Sequence, residues 1–266
     1  VDLRGERLFD ASRLDAMLAA LVHRGPDGVG THVAAGIALG ARRLALVDPE
    51  NGAQPFSTPE GDVWSVVNGE IYDDADLRAR FERDGARLRS RCDAELWPHL
   101  YRAHGLEMLP RIRGQFALAL WDARRRELLL ARDRFGICPL HVAEADGFLL
   151  FASEVRALFA SGLVAPRPFA PALDALFTHY AMPPRWTAFD GVRSLPPGGA
   201  LRVVDGRAAE SQWWRPCFVA AERRARPEEE RAWADELEAL LARAVSRRLR
   251  GDARVGSYLS GGVDSS

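Results

Sequence analysis

The last dozen residues of the chain carry the pattern that most narrows the possible folds: a strand, a glycine turn and the start of a helix. An apolar run ends at Leu259 and predicts a buried strand, which a Ser-Gly-Gly turn and the start of a helix follow. Glycines let the backbone approach a ligand closely and adopt dihedral angles closed to other residues. Main-chain N–H groups at a helix start, with neighbouring serine hydroxyls, suit an anion such as pyrophosphate. A bare Ser-Gly-Gly is more often an ordinary turn, so the interpretation depends on the whole pattern.

The full sequence SGGVDSS after a strand resembles the pyrophosphate loop of the ATP pyrophosphatase family, whose members adenylate carbonyl oxygens. It is not a Walker A loop, because no Gly-Lys-Ser/Thr is present. The resemblance implies that ATP binds here and that Mg²⁺ accompanies the triphosphate. The residues that it assigns to the ATP site are Leu259, Ser260, Gly261, Gly262, Asp264, Ser265 and Ser266.

Composition excludes several classes of protein. The net charge of −1 over 266 residues gives no basic field for nucleic acid or membrane partners. No apolar run approaches the roughly 18 residues of a membrane span, and the first residues do not read as a signal peptide. Three widely spaced cysteines, Cys92, Cys138 and Cys217, suggest neither a zinc site nor a disulfide framework. We therefore expect a cytoplasmic protein.

Helical patterns occupy three stretches of the first half. Ser12 is the predicted cap of a helix whose apolar residues fall on one face and which Gly25 and Pro26 end. Two further helices are predicted over residues 75–84 and 94–104, and Pro98 should weaken or kink the second of them.

Strand patterns form separate blocks. They cover residues 36–47, 63–67, 116–120, 128–131 and 148–152. Strands and helices grouped in this way predict an α+β fold and not a Rossmann sheet. We expect one domain over residues 1–160, a proline-rich connecting region over 161–226 with one helix and a small hairpin, and a second domain that begins at 227. A charged helix over 227–250 carries an apolar stripe, which predicts that it faces a core.

Six short motifs of the first half fit one another. Each alone has an ordinary structural explanation: a turn, an exposed cation or a helix cap. The motifs are HRGPD at 23–27, RRLALVD at 42–48, NGEIY at 68–72, SRCDAE at 90–95, GQFALALWD at 114–122 and RDRFG at 132–136.

In this order, and followed by SGGVDSS, the motifs resemble the glutamine-dependent asparagine synthetase family over essentially the whole chain. The resemblance implies a class II glutamine amidotransferase domain with a four-layer αββα, Ntn-hydrolase-like fold. It also implies that an α/β synthetase domain of the adenine-nucleotide α-hydrolase type begins near the end of the chain.

The resemblance assigns a role to each residue of the glutamine site. Arg43 offers a planar charged fork for the α-carboxylate. Asp93 offers an anion for the α-ammonium, and Glu70 helps to hold the same amine. Asn68 and the Gly69 N–H match the oxyanion hole, where removing one donor typically costs about 10²–10³ in rate. Leu44, Ala45, Leu46 and Val47 complete the glutamine-binding segment.

The nucleophile implied by the resemblance is an amino-terminal cysteine whose own α-amine is the base. It belongs in an opening strand of the form Met-Cys-Gly-Ile-Ala-Gly-Ile ahead of Val1 and Asp2. None of the three cysteines present carries a free α-amine beside its thiol. We therefore expect that the chain as it stands does not hydrolyse glutamine, and that the unpaired sheet edge makes it prone to aggregate.

Two explanations stay open at this point. The sequence is a fragment cut at both ends, which the intact glutamine-gripping residues favour. Alternatively, it belongs to a relative with an inactive glutaminase, as in β-lactam synthetase-like and lasso-peptide cyclase-like proteins. Departures from the family pattern at Asp73, Cys92, Cys138 and His141 indicate a divergent subfamily whose acceptor need not be aspartate.

The function that the resemblance implies is ATP-dependent amide synthesis. Glutamine supplies ammonia to an adenylated carboxylate, aspartate by default, and asparagine, AMP and pyrophosphate result. The first alternative is an amidotransferase or amide-forming cyclase acting on another carboxylate. The second is a glutaminase-like scaffold without catalytic activity. The expected partners are glutamine, ATP and the carboxylate acceptor, no metal ligand set is assigned, and a homodimer is kept open as the assembly.

Overall fold

A computed structural model describes residues 1–218, 226–249, 252 and 254–263. The helices within these residues are α1 Ala11–Ala19, α2 Asp74–Arg83, α3 Leu96–His104, α4 Val155–Ala160, α5 Ala170–His179 and α6 Pro227–Arg248. The strands are β1 Gly28–Ala34, β2 Ile37–Arg43, β3 Phe56–Ser57, β4 Val63–Ile71, β5 Gly114–Asp122, β6 Glu127–Arg132, β7 His141–Ala145, β8 Phe148–Ala152, β9 Val192–Ser194, β10 Gly199–Val204 and β11 Arg207–Gln212.

The strands form three antiparallel sheets. The largest has the order β11-β10-β6-β5-β4-β3, the second has the order β8-β7-β9, and β1 pairs with β2 alone. Every pair of named strands is antiparallel. Antiparallel sheets tolerate short connections, whereas a Rossmann sheet needs parallel strands with helical crossovers. The α+β prediction is therefore confirmed.

The alternating residues of β5 explain the layering. Phe116, Leu118 and Leu120 point to one side, into an apolar cluster with α3. Ala117 and Ala119 point to the other side, into a cluster with β2, β7 and β8. A third cluster joins β7 and β8 to α1 and α4 on their far side. Successive strand residues face opposite sides of a sheet, so these clusters stack as helix, sheet, sheet and helix, the predicted αββα arrangement.

Two local predictions about helices were wrong. The cap of α1 is Asp10, whose carboxylate accepts the main-chain N–H of Ser12 at 2.8 Å, while the Ser12 hydroxyl donates to the same oxygen at 2.7 Å. Pro98, predicted to weaken or kink α3 from its interior, instead lies in the first turn, because the helix begins at Leu96. A proline is tolerated there, since first-turn N–H groups lack an intrahelical acceptor.

The structure contains strands that the sequence patterns did not predict. Strand β1 alternates half-buried and exposed residues and so lacks a strong apolar signal. Within the predicted connecting region, the predicted hairpin is present as β10 and β11, and β10 also pairs with β6. Strand β9, which was not predicted, pairs with β7. Much of that region is thus part of the same sheets as the first 160 residues.

Predictions for the end of the chain were also wrong. The apolar stripe of α6 is exposed rather than core-facing, with Trp233 59% and Leu241 57% accessible. The predicted strand before the Ser-Gly-Gly turn has no regular secondary structure, and Tyr258 is fully exposed. Among the described residues no neighbouring strand pairs with it, and a strand needs such a neighbour to satisfy its main-chain hydrogen bonds.

Candidate functional site

A cavity of about 490 Å³ lies between the two main sheets. Side chains of β2, β4, β5, β8 and α1 line its apolar interior, and polar residues from the predicted glutamine site line the rest. Eight of the nine predicted residues border it, and only Ala45 does not. The eight are Arg43, Leu44, Leu46, Val47, Asn68, Gly69, Glu70 and Asp93.

Arg43 ends β2, and the loop that follows wraps around its guanidinium. Nη2 donates to the carbonyl oxygens of Val47 and Asp48, each at 2.7 Å, and Nη1 donates to that of Pro49 at 2.8 Å. Gly52 leaves room for this arrangement, because an added Cβ there would lie 2.0 Å from Nη2. Three of the five guanidinium N–H groups are thus used to fix its orientation. Nε and one Nη1 hydrogen stay free of described acceptors and are suited to a carboxylate.

The HRGPD motif holds the main chain at Arg43 and Ala45. The Asp27 N–H donates to the Arg43 carbonyl at 3.0 Å, and the Asp27 carboxylate accepts the Ala45 N–H at 2.8 Å. A Cβ on Gly25 would lie 2.4 Å from the Arg43 nitrogen, so only glycine permits this approach. Ala45 therefore serves the site through its main chain, although it does not border the cavity.

Strand β4 carries Asn68, Gly69 and Glu70 past the cavity. Gly69 has a φ of +148°, and an added Cβ would lie 2.0 Å from the carbonyl oxygen of Gln115 on β5. The Gln54 side chain pairs with the main chain of Val67, donating at 2.9 Å and accepting at 2.7 Å. These contacts fix the backbone immediately before and at the predicted oxyanion hole.

Asp93 borders the same cavity and lies in a 3-10 turn that precedes α3. Its Oδ2 accepts the Ile71 N–H at 2.7 Å, and the residue is 9% exposed. Burial raises the pKa of this carboxyl, although the hydrogen bond from Ile71 opposes the shift. Among the described residues no cation lies within ion-pair distance of Asp93. Burying an unpaired carboxylate is unfavourable, so a cationic ligand group would stabilise it.

The turn before Asp93 is rigidly held. The buried Glu95 carboxylate accepts the N–H groups of Arg89 and Ser90 at 2.7 and 2.8 Å, and the Ser90 hydroxyl at 2.8 Å. Arg78 donates to the carbonyl oxygens of Ser90 at 2.6 Å and Cys92 at 3.1 Å. The position of the Asp93 carboxylate is therefore fixed before any ligand binds.

Neither Cys92 nor Cys138 is activated as a nucleophile. Cys92 borders the cavity, but burial and the Asp93 carboxylate raise the pKa of its thiol to about 11. Burial likewise raises the pKa of Cys138 to about 11. Since the thiolate is the reactive form, both thiols are protonated at neutral pH. Cys217 is exposed and does not border the cavity.

The amino terminus also reaches the cavity, and Val1 is one of its lining residues. The Asp2 N–H donates to the Gly36 carbonyl, and the Leu149 N–H donates to the Val1 carbonyl, both at 2.9 Å. Beyond these contacts, β2 has a strand partner only on its β1 side and β8 only on its β7 side among the described residues. Both strands line the cavity, so their open edges border the same space.

Sequence reasoning missed two supporting residues. Asp48, at the end of the RRLALVD motif, is 6% exposed and accepts hydrogen bonds from the main chain of Arg91 at 2.7 Å and of Asn51 at 3.2 Å. These bonds, with that from Arg91 the strongest, lower the pKa of its carboxyl. Its position inside a motif was the available signal. Gln54 had no such signal, because its role depends on packing against β4.

The predicted ATP loop is separate from this cavity. Gly261 has a φ of +74°, which suits a turn that presents N–H groups to an anion, but Leu259 is 75% exposed. Leu259, Ser260, Gly261 and Gly262 do not line either described cavity. Asp264, Ser265 and Ser266 lie outside the described residues. No group of three or more potential metal ligands occurs in the part of the chain that is described.

No helix in the described ranges is both long and apolar enough to cross a membrane.

Comparisons with known proteins identify relatives for most of the chain. A family model for the glutamine amidotransferase domain matches residues 4–214, and one for asparagine synthase matches residues 236–266. Glutamine-hydrolysing asparagine synthetase 2 of Bacillus subtilis is 34% identical and aligns with 95% of this chain and 34% of its own length. The protein named amidase chry2 of Gibberella zeae is 32% identical and aligns with 99% of this chain and 39% of its own length. The chain thus spans roughly two fifths or less of these relatives.

Solved structures show the same fold. Glutamine phosphoribosylpyrophosphate amidotransferase from B. subtilis superposes with a TM-score of 0.55 at 20% identity, over 75% of this chain and 46% of its own. A structure described as the allosteric regulatory enzyme of purine biosynthesis gives a TM-score of 0.56 at 18% identity, over 76% of this chain and 46% of its own. The family match covers most of the chain and the fold agrees with it. The chain belongs to the glutamine amidotransferase domain family.

Proposed function

We propose that the cavity binds glutamine and that its side-chain amide is hydrolysed there to release ammonia. The observation that carries the proposal is the opposite charge of two fixed groups that border one cavity: the Arg43 guanidinium and the buried Asp93 carboxylate. An α-amino acid presents a carboxylate and an ammonium on one carbon. A site with a fixed cation and a fixed anion can bind both groups and so orient the side chain.

The remaining residues fit the chemistry of the side-chain amide. Attack on the amide carbon places negative charge on its oxygen, and Asn68 and the Gly69 N–H are the proposed donors to that oxygen. The close packing of Gly69 against β5 fixes its main chain, which is what an oxyanion hole requires. Asp93 and Glu70 would hold the ammonium away from the reacting carbon.

We propose that the nucleophile is an amino-terminal cysteine carried by an extended segment that leads into Val1. The contacts of Val1 and Asp2 with Leu149 and Gly36 start such a segment between the open edges of β2 and β8. The segment would run along the apolar cavity toward Asn68. Its thiol would attack the amide carbon while its α-amine accepts the thiol proton and passes it to the leaving nitrogen, so that ammonia departs as the thioester forms. Water would then hydrolyse the thioester, which releases glutamate and restores the thiol.

We further propose that the ammonia is transferred to an activated carboxylate, with aspartate as the acceptor and asparagine as the product. ATP would supply the activation by adenylating the carboxylate, with Mg²⁺ bound to the triphosphate. Support comes from the asparagine synthase match over residues 236–266 and from the names of the B. subtilis relatives.

A different acceptor is the second candidate. Two fungal relatives are named amidases, at 32% and 34% identity. The names of these two relatives favour a substrate other than aspartate for the second reaction, with the glutamine site unchanged.

Calorimetric titration of L-glutamine into the 266-residue chain tests the proposal. We expect a single site that Arg43→Ala and Asp93→Asn each weaken by about tenfold or more, since each removes a charge-assisted contact. Arg156→Ala, at an exposed position of α4, is the matched control and should bind as the unsubstituted chain does. A scaffold without catalytic activity predicts no binding, or binding that Arg43→Ala leaves unchanged. Either result would overturn the glutamine site.

A further inference from the structure

The segment after α6 contacts the loop that holds Arg43. Asp252 makes two hydrogen bonds with this loop: its N–H donates to the Leu46 carbonyl at 2.9 Å, and its carboxylate accepts the Asp48 N–H at 3.2 Å. The Asp252 carboxylate also lies 3.3 Å from the Arg91 guanidinium. That ion pair is exposed on both sides and contributes little by itself. The contact is therefore carried by the bond between the main chains of Asp252 and Leu46 and by the bond from the Asp48 N–H to the Asp252 carboxylate.

Asp48 connects the two halves of the proposed glutamine site. Its carbonyl oxygen accepts from the Arg43 guanidinium, and its carboxylate accepts the Arg91 N–H two residues before Asp93. The residue has a φ of +46°, a conformation that is uncommon outside glycine and has to be held by its surroundings. Fixing the Asp48 backbone therefore fixes the Arg43 side of the site relative to the Asp93 side.

The end of α6 makes a second contact next to the site. The Arg247 side chain pairs with Asp73 at 3.2 Å, and the Arg248 guanidinium lies 4.3 Å from the centre of the Tyr72 ring. Tyr72 and Asp73 directly follow β4, the strand that carries Glu70. The segment from Arg247 to Asp252 thus contacts the chain directly after the strand that carries Glu70 and also contacts the loop around Arg43.

We propose that Asp252 is a positioning residue for the glutamine site. By holding the backbone of Leu46 and Asp48, it keeps the loop wrapped around Arg43 and keeps that loop in register with the turn that ends at Asp93. Glutamine affinity then depends on a residue of the region that precedes the Ser-Gly-Gly turn. The predicted effect of Asp252 on glutamine binding rests on the proposed function. Its predicted effect on the loop does not.

Hydrogen exchange followed by mass spectrometry tests the effect on the loop without any ligand. In Asp252→Ala we expect main-chain exchange of residues 44–52 and 89–93 to speed up by about tenfold, since a hydrogen bond to a charged group is lost. Asp252→Asn keeps an oxygen that can accept the Asp48 N–H and should largely preserve the protection. Asp235→Asn, an exposed carboxylate on α6, removes a charge without touching the loop and is the control. Unchanged exchange in Asp252→Ala would overturn the proposal.

Glutamine affinity tests the effect on the site. We expect the dissociation constant for L-glutamine to rise by about fivefold to tenfold in Asp252→Ala, with Asp252→Asn intermediate and Asp235→Asn unchanged. The thermal midpoint should stay that of the unsubstituted chain, because the Asp252 side chain is 45% exposed. Equal affinity in Asp252→Ala overturns the positioning role. If the unsubstituted chain bound no glutamine, the proposed function would fail, and hydrogen exchange would still decide the role of Asp252 in the loop.

Discussion

The residues up to 214 and the residues from 226 onward differ in how their apolar side chains are used. In the first region the apolar faces of sheets and helices meet, and Leu118, Leu129 and Leu130 are fully buried. In the second, α6 has no buried residue, and its leucines are about half exposed. Both regions have sequence patterns typical of packed elements. The difference teaches that a periodic apolar pattern predicts a helix or strand, whereas burial also needs a neighbouring surface.

The largest expected effect concerns the proposed catalytic site. In the first region a neighbouring surface is available, because the open edges of β2 and β8 can pair with an added strand. We predict that adding Cys-Gly-Ile-Ala-Gly-Ile directly before Val1 gives a chain that hydrolyses glutamine. Its rate should exceed that of the same extension with alanine in place of cysteine by about six orders of magnitude, as expected for loss of a nucleophile. Glutamate release measures the rates. Equal rates in the two extended chains would contradict the proposed chemistry.

Truncating matched leucines compares the packing of the two regions directly. Leu118→Ala removes a fully buried side chain of β5 and should lower the free energy of unfolding by about 2–5 kcal/mol. Leu240→Ala, in a helix where that side chain is 48% exposed, should change it by less than about 0.5 kcal/mol. Chemical denaturation measures both. A large loss for Leu240→Ala would show that the α6 stripe is buried and that the contrast is wrong.

Glycine substitutions make the same comparison for the backbone. Gly69→Ala forces a Cβ to within 2.0 Å of the Gln115 carbonyl at a φ of +148° and should destabilise the fold by about 2–4 kcal/mol. Gly256→Ala meets nothing within 4 Å and should be nearly neutral. Thermal unfolding checks the pair, and a neutral Gly69→Ala would contradict the close approach of β4 to β5.

The pH dependence of glutamine binding gives the smallest expected effect. Burial raises the pKa of Asp93, so its carboxyl becomes neutral at a higher pH than an ordinary aspartate, whose pKa is about 3.9. The attraction for the ligand ammonium should be complete well above the raised pKa and should fall as the pH is lowered through it. Asp93→Asn should flatten this part of the profile. A profile that is flat down to pH 4 in the unsubstituted chain would contradict the role of Asp93.

Much of the first region could be predicted from sequence, for reasons visible in particular residues. The alternation of Phe116, Leu118 and Leu120 with alanines predicted β5, and ordered motifs identified eight residues that border one cavity. Strand β1 was missed because neither of its faces is strongly apolar. The roles of Gln54 and Asp252 could not be predicted, because both depend on contacts with residues distant in the sequence.

The same reasoning explains the errors at the end of the chain. The run before Leu259 is apolar, but a strand is stabilised by hydrogen bonds to a neighbour, and none of the described residues supplies one. Pro98 shows the opposite error, since a residue that usually disrupts a helix is harmless in its first turn. In both cases the local preference of the residues is real, but their position in the fold determines its effect.

The central claim is that Arg43 binds the α-carboxylate of glutamine and Asp93 binds its α-ammonium. Titrating two analogues, glutaramic acid without the amine and 4-aminobutanamide without the carboxylate, into the unsubstituted chain, Arg43→Ala and Asp93→Asn tests it most directly. We predict that Arg43→Ala removes the difference in affinity between glutamine and 4-aminobutanamide, and that Asp93→Asn removes the difference between glutamine and glutaramic acid. If each variant still discriminated its analogue as strongly as the unsubstituted chain does, the assignment of the two charges would be wrong.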